Sequence, residues 1–143
     1  LMIGASKMGL DFVIASPDSL RPEKDLVDEC MGYAKESGAK ISMTDDPEEA
    51  VKNADVIYTD VWISMGEEEK AKDRVALLRP YQVNAELMSA SGKATTKFMH
   101  CLPAVRGYEV TNEVIEGPAS IVFDEAENRM HTIKAVMVAT IGK

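Results

Sequence analysis

Three places in the 143-residue sequence carry side chains that could do chemistry together. The first is His100-Cys101-Leu102-Pro103, at the carboxyl end of the apolar pair Phe98-Met99. Phe98 and Met99 suit a buried strand, and Pro103 has no amide hydrogen, so regular pairing should stop there with Leu102 extended. A thiol, an imidazole and the carbonyls of Cys101 and Leu102 thus collect at one strand end. Nucleophilic attack by Cys101 with His100 as its base is disfavoured, because neighbouring side chains on a strand point to opposite faces. The plainer alternative is a packed thiol and a capped imidazole.

The second place is Asp60-Val61-Trp62-Ile63-Ser64-Met65-Gly66. Asp60 can pair with an ammonium, while Ser64 and the backbone amides at Met65-Gly66, ahead of an acidic helix, can hold a carboxylate. Together they suit a zwitterion; the alternative is that Asp60 ends a strand and Ser64 caps a helix. The third is Arg129, either a surface arginine or a planar donor fork that polarises a carbonyl or phosphate oxygen. His131 lies two residues on, towards a different side of the same helix, and reads as structural.

These groups need elements to position them. Leu1 to Met8 reads as the middle and end of a helix closed by Gly9, so the chain is expected to be a fragment lacking the strand that feeds this helix. Strands are expected at Asp11-Ala15, Lys40-Met43, Asp55-Thr59 and Phe98-Cys101, with a last extended piece at Ala119-Phe123. Between them, Pro22 marks the start of a helix whose stripe is Leu26, Cys30, Tyr33 and Ala34, ending at Gly38. Cys30 on that stripe is a packing residue. Asp46 with Pro47 starts a short helix, Glu67 to Leu78 is helical, and Asn84 caps another helix through Met88. Thr111 with Glu113 and Val114 makes one helical turn. Asp124 and Glu127 have capping-box spacing before a final helix with Ala126, Met130, Ile133, Met137 and Ile141 on its apolar face.

Alternating strands and helices imply a Rossmann-like α/β fold, a doubly wound parallel sheet flanked by helices and here partial. Ligands bind such sheets beyond the carboxyl ends of the strands, so the loops after Thr59 and after His100 should open on one edge. The composition, 45% hydrophobic and 28% charged, suits one soluble domain over residues 1–143. A formal charge of −8 supplies no basic face for nucleic acid. No apolar run approaches a membrane span, and cytoplasmic location is the expectation. Cys30 and Cys101 are far apart, without disulfide or zinc spacing. No Gly-x-Gly-x-x-Gly follows a strand, and Walker-type glycines and Gly-x-Ser-x-Gly are missing, so no cofactor and no metal is expected.

Three motifs, Asp60 through Glu67, Met99-His100-Cys101-Leu102-Pro103-Ala104, and Phe123 through Thr132 with Asn128-Arg129-Met130-His131, resemble the ornithine carbamoyltransferase family in order and spacing. The resemblance covers essentially the whole chain and is to the second, ornithine-binding lobe. It implies transfer of the carbamoyl group from carbamoyl phosphate to ornithine, giving citrulline and phosphate. Asp60 would hold the α-ammonium, and Ser64 and Met65, largely through backbone, the carboxylate end. Cys101 would sit beside the attacking amine, and the carbonyls of Cys101 and Leu102 would accept from the carbamoyl NH₂. Arg129 would draw on the carbamoyl oxygen, with Cys101 and Arg129 as the catalytic pair. The family's Ser-Thr-Arg-Thr phosphate loop and His-Pro-x-Gln motif belong to a first lobe that is missing here, so the chain alone should not turn over. A homo-oligomer, trimer-based in the family, is implied as well. The alternatives are a carbamoyltransferase for another amine such as putrescine, and a non-catalytic α/β small-molecule-binding domain.

Overall fold

A computed structural model describes residues 1–63 and 71–142. It divides into two units, Leu1–Lys52 and Asn53–Lys143.

In the first unit, β1 (Phe12–Ala15) and β2 (Ile41–Thr44) pair in parallel, with Phe12 opposite Ile41 and Ala15 opposite Thr44. Parallel strands need a crossover, and α2 (Lys24–Ser37) supplies it. It buries Cys30 and Ala34, as the apolar spacing requires. α1 (Met2–Met8) packs on α2 and ends at Gly9, whose φ of 73° and N–H bond to the Ala5 carbonyl make the expected left-handed cap. A Cβ at Gly9 would also meet the Ser37 carbonyl at 3.2 Å. Pro22 is not the first residue of α2. Arg21 and Glu23 are both extended, and a 3₁₀ turn at Asp18–Leu20 precedes them, so the helix starts two residues later.

Asp46 caps α3 (Pro47–Val51) as expected: its Oδ1 accepts the N–H groups of Glu48 and Glu49 at 2.9 and 3.1 Å. These are two of the orphan donors that every helix start exposes.

In the second unit, β3 (Val56–Thr59) and β4 (Lys97–His100) pair in parallel, from Val56 opposite Lys97 to Thr59 opposite His100. The connection contains α4 (Ala71–Leu78), a 3₁₀ turn at Arg79–Tyr81, and α5 (Ala85–Ala90). Asn84 Oδ1 caps α5 by accepting the Leu87 N–H at 2.8 Å. After β4 come α6 (Asn112–Ile115) and α7 (Val122–Ile141). Phe98 and His100 point into the core and are fully buried. The alternation and the parallel sense agree with the sequence, and the four strands lie as two pairs, one in each unit.

The second edge of β4 is covered by residues 119–121. Phe98 N–H donates to the Ala119 carbonyl at 2.9 Å, and Ile121 N–H to the Phe98 carbonyl at 3.0 Å. Pairing here is therefore one bridge, at Ser120, and does not extend to Phe123. Glu125 N–H already bonds the Ile121 carbonyl, so helical bonding starts there. Asp124 consequently sits in the first turn instead of capping it, and the Asp124–Glu127 capping box does not form. The apolar residues Met130, Ile133, Met137 and Ile141 do share a face of α7, and all are more than half exposed.

Asp46→Ala removes both cap bonds and a favourable charge at the α3 amino end. It is expected to destabilise the first unit by about 1 kcal/mol, with Asp46→Asn retaining most of that. The shift in urea midpoint at constant m-value measures it.

Candidate active site

Parallel pairing puts the residues after Thr59 and after His100 side by side. Asp60 and Cys101 follow the last register pair, and the Cys101 thiol donates to Asp60 Oδ1 at 3.0 Å. The same oxygen accepts the Val61 N–H at 2.7 Å, which fixes the carboxylate at the mouth of its loop. The two clusters singled out in the sequence thus meet. Ser64 and Met65 lie outside the described residues.

Strand alternation decides what faces the site. Phe98 and His100 turn inward, while Met99 and Cys101 turn the other way beside Tyr58, the register partner of Met99. Tyr58, Met99 and Cys101 form one wall of a cavity of about 540 Å³. The opposite wall is the first turns of α7, where Glu125, Arg129 and Thr132 share a face by helical spacing. Arg129 therefore lines the same cavity as Cys101. His131 is elsewhere, exposed and 3.2 Å from Glu127, in keeping with a structural role.

Leu102 departs from the extended conformation expected before proline. Its φ is +53°, and the Leu102–Pro103 bond is cis. A left-handed backbone costs an L-residue roughly 1–2 kcal/mol, so something must hold it. Leu102 N–H donates to His100 Nδ1 at 2.8 Å. The other ring nitrogen, Nε2, lies 3.2 Å from Glu109 Oε1, which also accepts the Val105 N–H at 2.5 Å. Both His100 and Glu109 are fully buried. Among the described residues, no donor engages the Cys101 or Leu102 carbonyl.

A second carboxylate completes the strand end. On the edge away from β3, pairing ends at Phe98, and His100 N–H donates instead to Glu125 Oε2 at 3.1 Å. Burial, and then the Glu125 charge and the Cys101 thiol, push the Tyr58 hydroxyl far above its ordinary range, so it remains a donor. Around the next loop, Trp62 stacks on Tyr108 at 6.2 Å, Arg79 lies over the Trp62 ring, and Gln82 Nε2 donates to the carbonyls of Gly107 and Tyr108. These contacts brace the segment that carries Glu109 against the loop that carries Asp60.

Tyr58, Glu125 and Glu109 were not among the residues marked by the sequence. Tyr58 had a signal, being the strand residue that alternation aligns with Met99. Glu109 had none, because a glutamate in an irregular connection gives no sign of complete burial.

Burial, followed by the hydrogen bond and charge of Asp60, pushes the Cys101 thiol up. The group is therefore a neutral S–H donor near pH 7 and a poor nucleophile. With burial unchanged, Asp60→Asn removes the charge that opposes ionisation. Alkylation of Cys101 by iodoacetamide at pH 8 is expected to speed up about 3- to 10-fold, the gain in thiolate outweighing its lower intrinsic reactivity. Cys30, fully buried, should stay unlabelled in both proteins.

Among the described residues, no group of three His, Cys, Asp or Glu side chains is placed to hold a metal, and no helix is long and apolar enough to cross a membrane. The model of the family described as aspartate/ornithine carbamoyltransferase, Asp/Orn binding domain, matches residues 1–140. The chain is 61% identical over 141 residues to an ornithine carbamoyltransferase of Pseudothermotoga lettingae, and 58% identical over 141 residues to one of Thermotoga maritima. Each alignment covers 99% of this chain and 45% of the relative. Among solved structures, the ornithine carbamoyltransferase of Pyrococcus furiosus superposes with a TM-score of 0.93 at 48% identity, covering 99% of this chain and 45% of that one. The chain spans about half the length of the curated relatives it matches. With the family model spanning residues 1–140, this chain belongs to the Asp/Orn-binding domain family of the aspartate/ornithine carbamoyltransferases.

Proposed function

We propose that this chain supplies the ornithine-binding half of an ornithine carbamoyltransferase, a cytoplasmic homo-oligomer whose other lobe binds carbamoyl phosphate. The observation that carries this is the 3.0 Å contact of Cys101 with Asp60, on the wall of a cavity that Arg129 also lines. The ornithine side-chain amine attacks the carbonyl carbon of carbamoyl phosphate. A C–N bond forms, the C–O bond to phosphate breaks, and the amine proton leaves with phosphate. Asp60 pairs with the α-ammonium, and Ser64 and Met65 serve the carboxylate. Cys101, kept as a thiol, borders the attacking amine without bonding to carbon. The Cys101 and Leu102 carbonyls accept from the carbamoyl NH₂, and Arg129 stabilises the charge that builds on the carbamoyl oxygen. Rate then comes from alignment and fixed charge, with the two substrates as the only small molecules required.

The test is a chimera in which this chain replaces the matching 141 residues of the Pseudothermotoga lettingae relative. Supplied with carbamoyl phosphate, it is expected to convert ornithine, and not putrescine, to the ureido product. Arg129→Gln should lower kcat by about 10²- to 10³-fold, the usual loss for one donor to a developing oxyanion. Asp60→Asn should instead raise the ornithine KM, by about 10-fold, as expected for a contact present in ground and transition states alike. A folded chimera that carbamoylates putrescine but leaves ornithine untouched would replace this proposal with the other-amine alternative.

A further inference from the structure

We infer that His100 and Glu109 are positioning residues for the transfer, a buried relay that sets the Leu102 carbonyl through the Leu102 N–H. The inference rests on the reading of the site as a carbamoyl-transfer site. Its basis is a chain of donors and acceptors that admits one proton arrangement. Leu102 N–H can only donate, so His100 Nδ1 must be the bare nitrogen. The ring proton of the neutral imidazole is then on Nε2, facing Glu109 Oε1 at 3.2 Å. Glu109 Oε1 in turn ties down Val105, beyond Pro103, through its N–H. Residues on both sides of the Leu102–Pro103 bond are therefore fastened to the same buried pair.

Packing alone does not account for this pair. Both side chains have no exposed surface, and Glu109 Oε2 is buried without a hydrogen-bond partner among the described residues. An apolar pair of the same volume would fill the space without an unsatisfied oxygen. What such a pair would lack is an acceptor at the Nδ1 position. Without that acceptor the Leu102 N–H loses the bond that holds the residue at φ +53°, and its carbonyl turns away from the place assigned to the carbamoyl NH₂. His100 and Glu109 are fully buried and do not line the cavity, so they act through Leu102.

Two measurements test this. In the ¹⁵N-labelled 143-residue chain, long-range ¹H–¹⁵N correlation should show His100 as the Nε2–H tautomer at pH 7.5, with His131 assigned by its loss in His131→Gln. In the chimera, His100→Gln keeps a donor toward Glu109 but has no acceptor for Leu102. Its kcat is expected to fall about 10²-fold while the ornithine KM changes by less than about 3-fold, the pattern of a misaligned reacting group. His100→Asn, whose Oδ1 falls near the Nδ1 position, should recover at least about 10-fold of that loss. An Nδ1–H tautomer or an imidazolium overturns the relay whatever the kinetics. Folded Gln and Asn variants that both match the parent, or that lose kcat equally, overturn the positioning role. A parent chimera that folds but makes no citrulline rejects the functional reading and the role built on it, while the tautomer still reports whether the proton arrangement is right.

Discussion

The site depends on the parallel register of β3 and β4. With Thr59 opposite His100, Asp60 and Cys101 leave the sheet side by side at the same end. An antiparallel pairing would send them to opposite ends, and a slip of one residue would turn Cys101 into the core and His100 into the cavity. Hydrophobic burial enforces the register: Phe98 is fully buried and Ile57, its partner, nearly so. The energy that aligns the polar groups is thus largely apolar burial two or three residues away, on the face that the cavity never meets.

Where the sheet stops, backbone donors need new partners, since a buried N–H left bare is costly. Two carboxylates meet that need. Glu125 takes the His100 N–H, and Glu109 takes Val105 N–H and faces the His100 ring. The loop is therefore held by hydrogen bonds to side-chain oxygens, more directional than contacts among apolar side chains. Such bonds fix conformation where no ladder continues, and in this protein they fix a leucine in a backbone region it would otherwise avoid.

Elements written in local chemistry were legible. Gly9 and Gly38 close their helices in the left-handed region, and Asp46 and Asn84 cap theirs. Asp60, Cys101 and Arg129 could be marked because each stands in a short local motif with a side chain able to pair, donate or accept. Three features were not legible, the first set by local backbone and the other two by partners elsewhere in the chain. Pro22 signals a helix start, yet the chain stays extended to Glu23 before α2 begins. Ala119 to Phe123 reads as one extended piece until β4 claims Ile121 and the helix takes Val122. Leu102 ahead of Pro103 reads as extended until the His100 ring, itself oriented toward Glu109, captures its N–H.

The two walls of the cavity are not independent. The start of α7 is tied to β4 by the Ile121 N–H bond to the Phe98 carbonyl and by Glu125 on the His100 N–H. Arg129 lies one turn beyond Glu125 on the same helix face, so its distance from the strand end is set through that anchor. Leu102 is set from the same residue, through the His100 ring. In the proposed transfer, the acceptors for the carbamoyl NH₂ and the donor to its oxygen thus both hang from His100, one by the side chain and one by the main chain. A planar carbamoyl group must be gripped from two sides at a fixed separation, and a single buried residue holding both grips supplies that separation without a long chain of intermediates. His100, unsuited to act as a base for Cys101, is the natural reference point of the site.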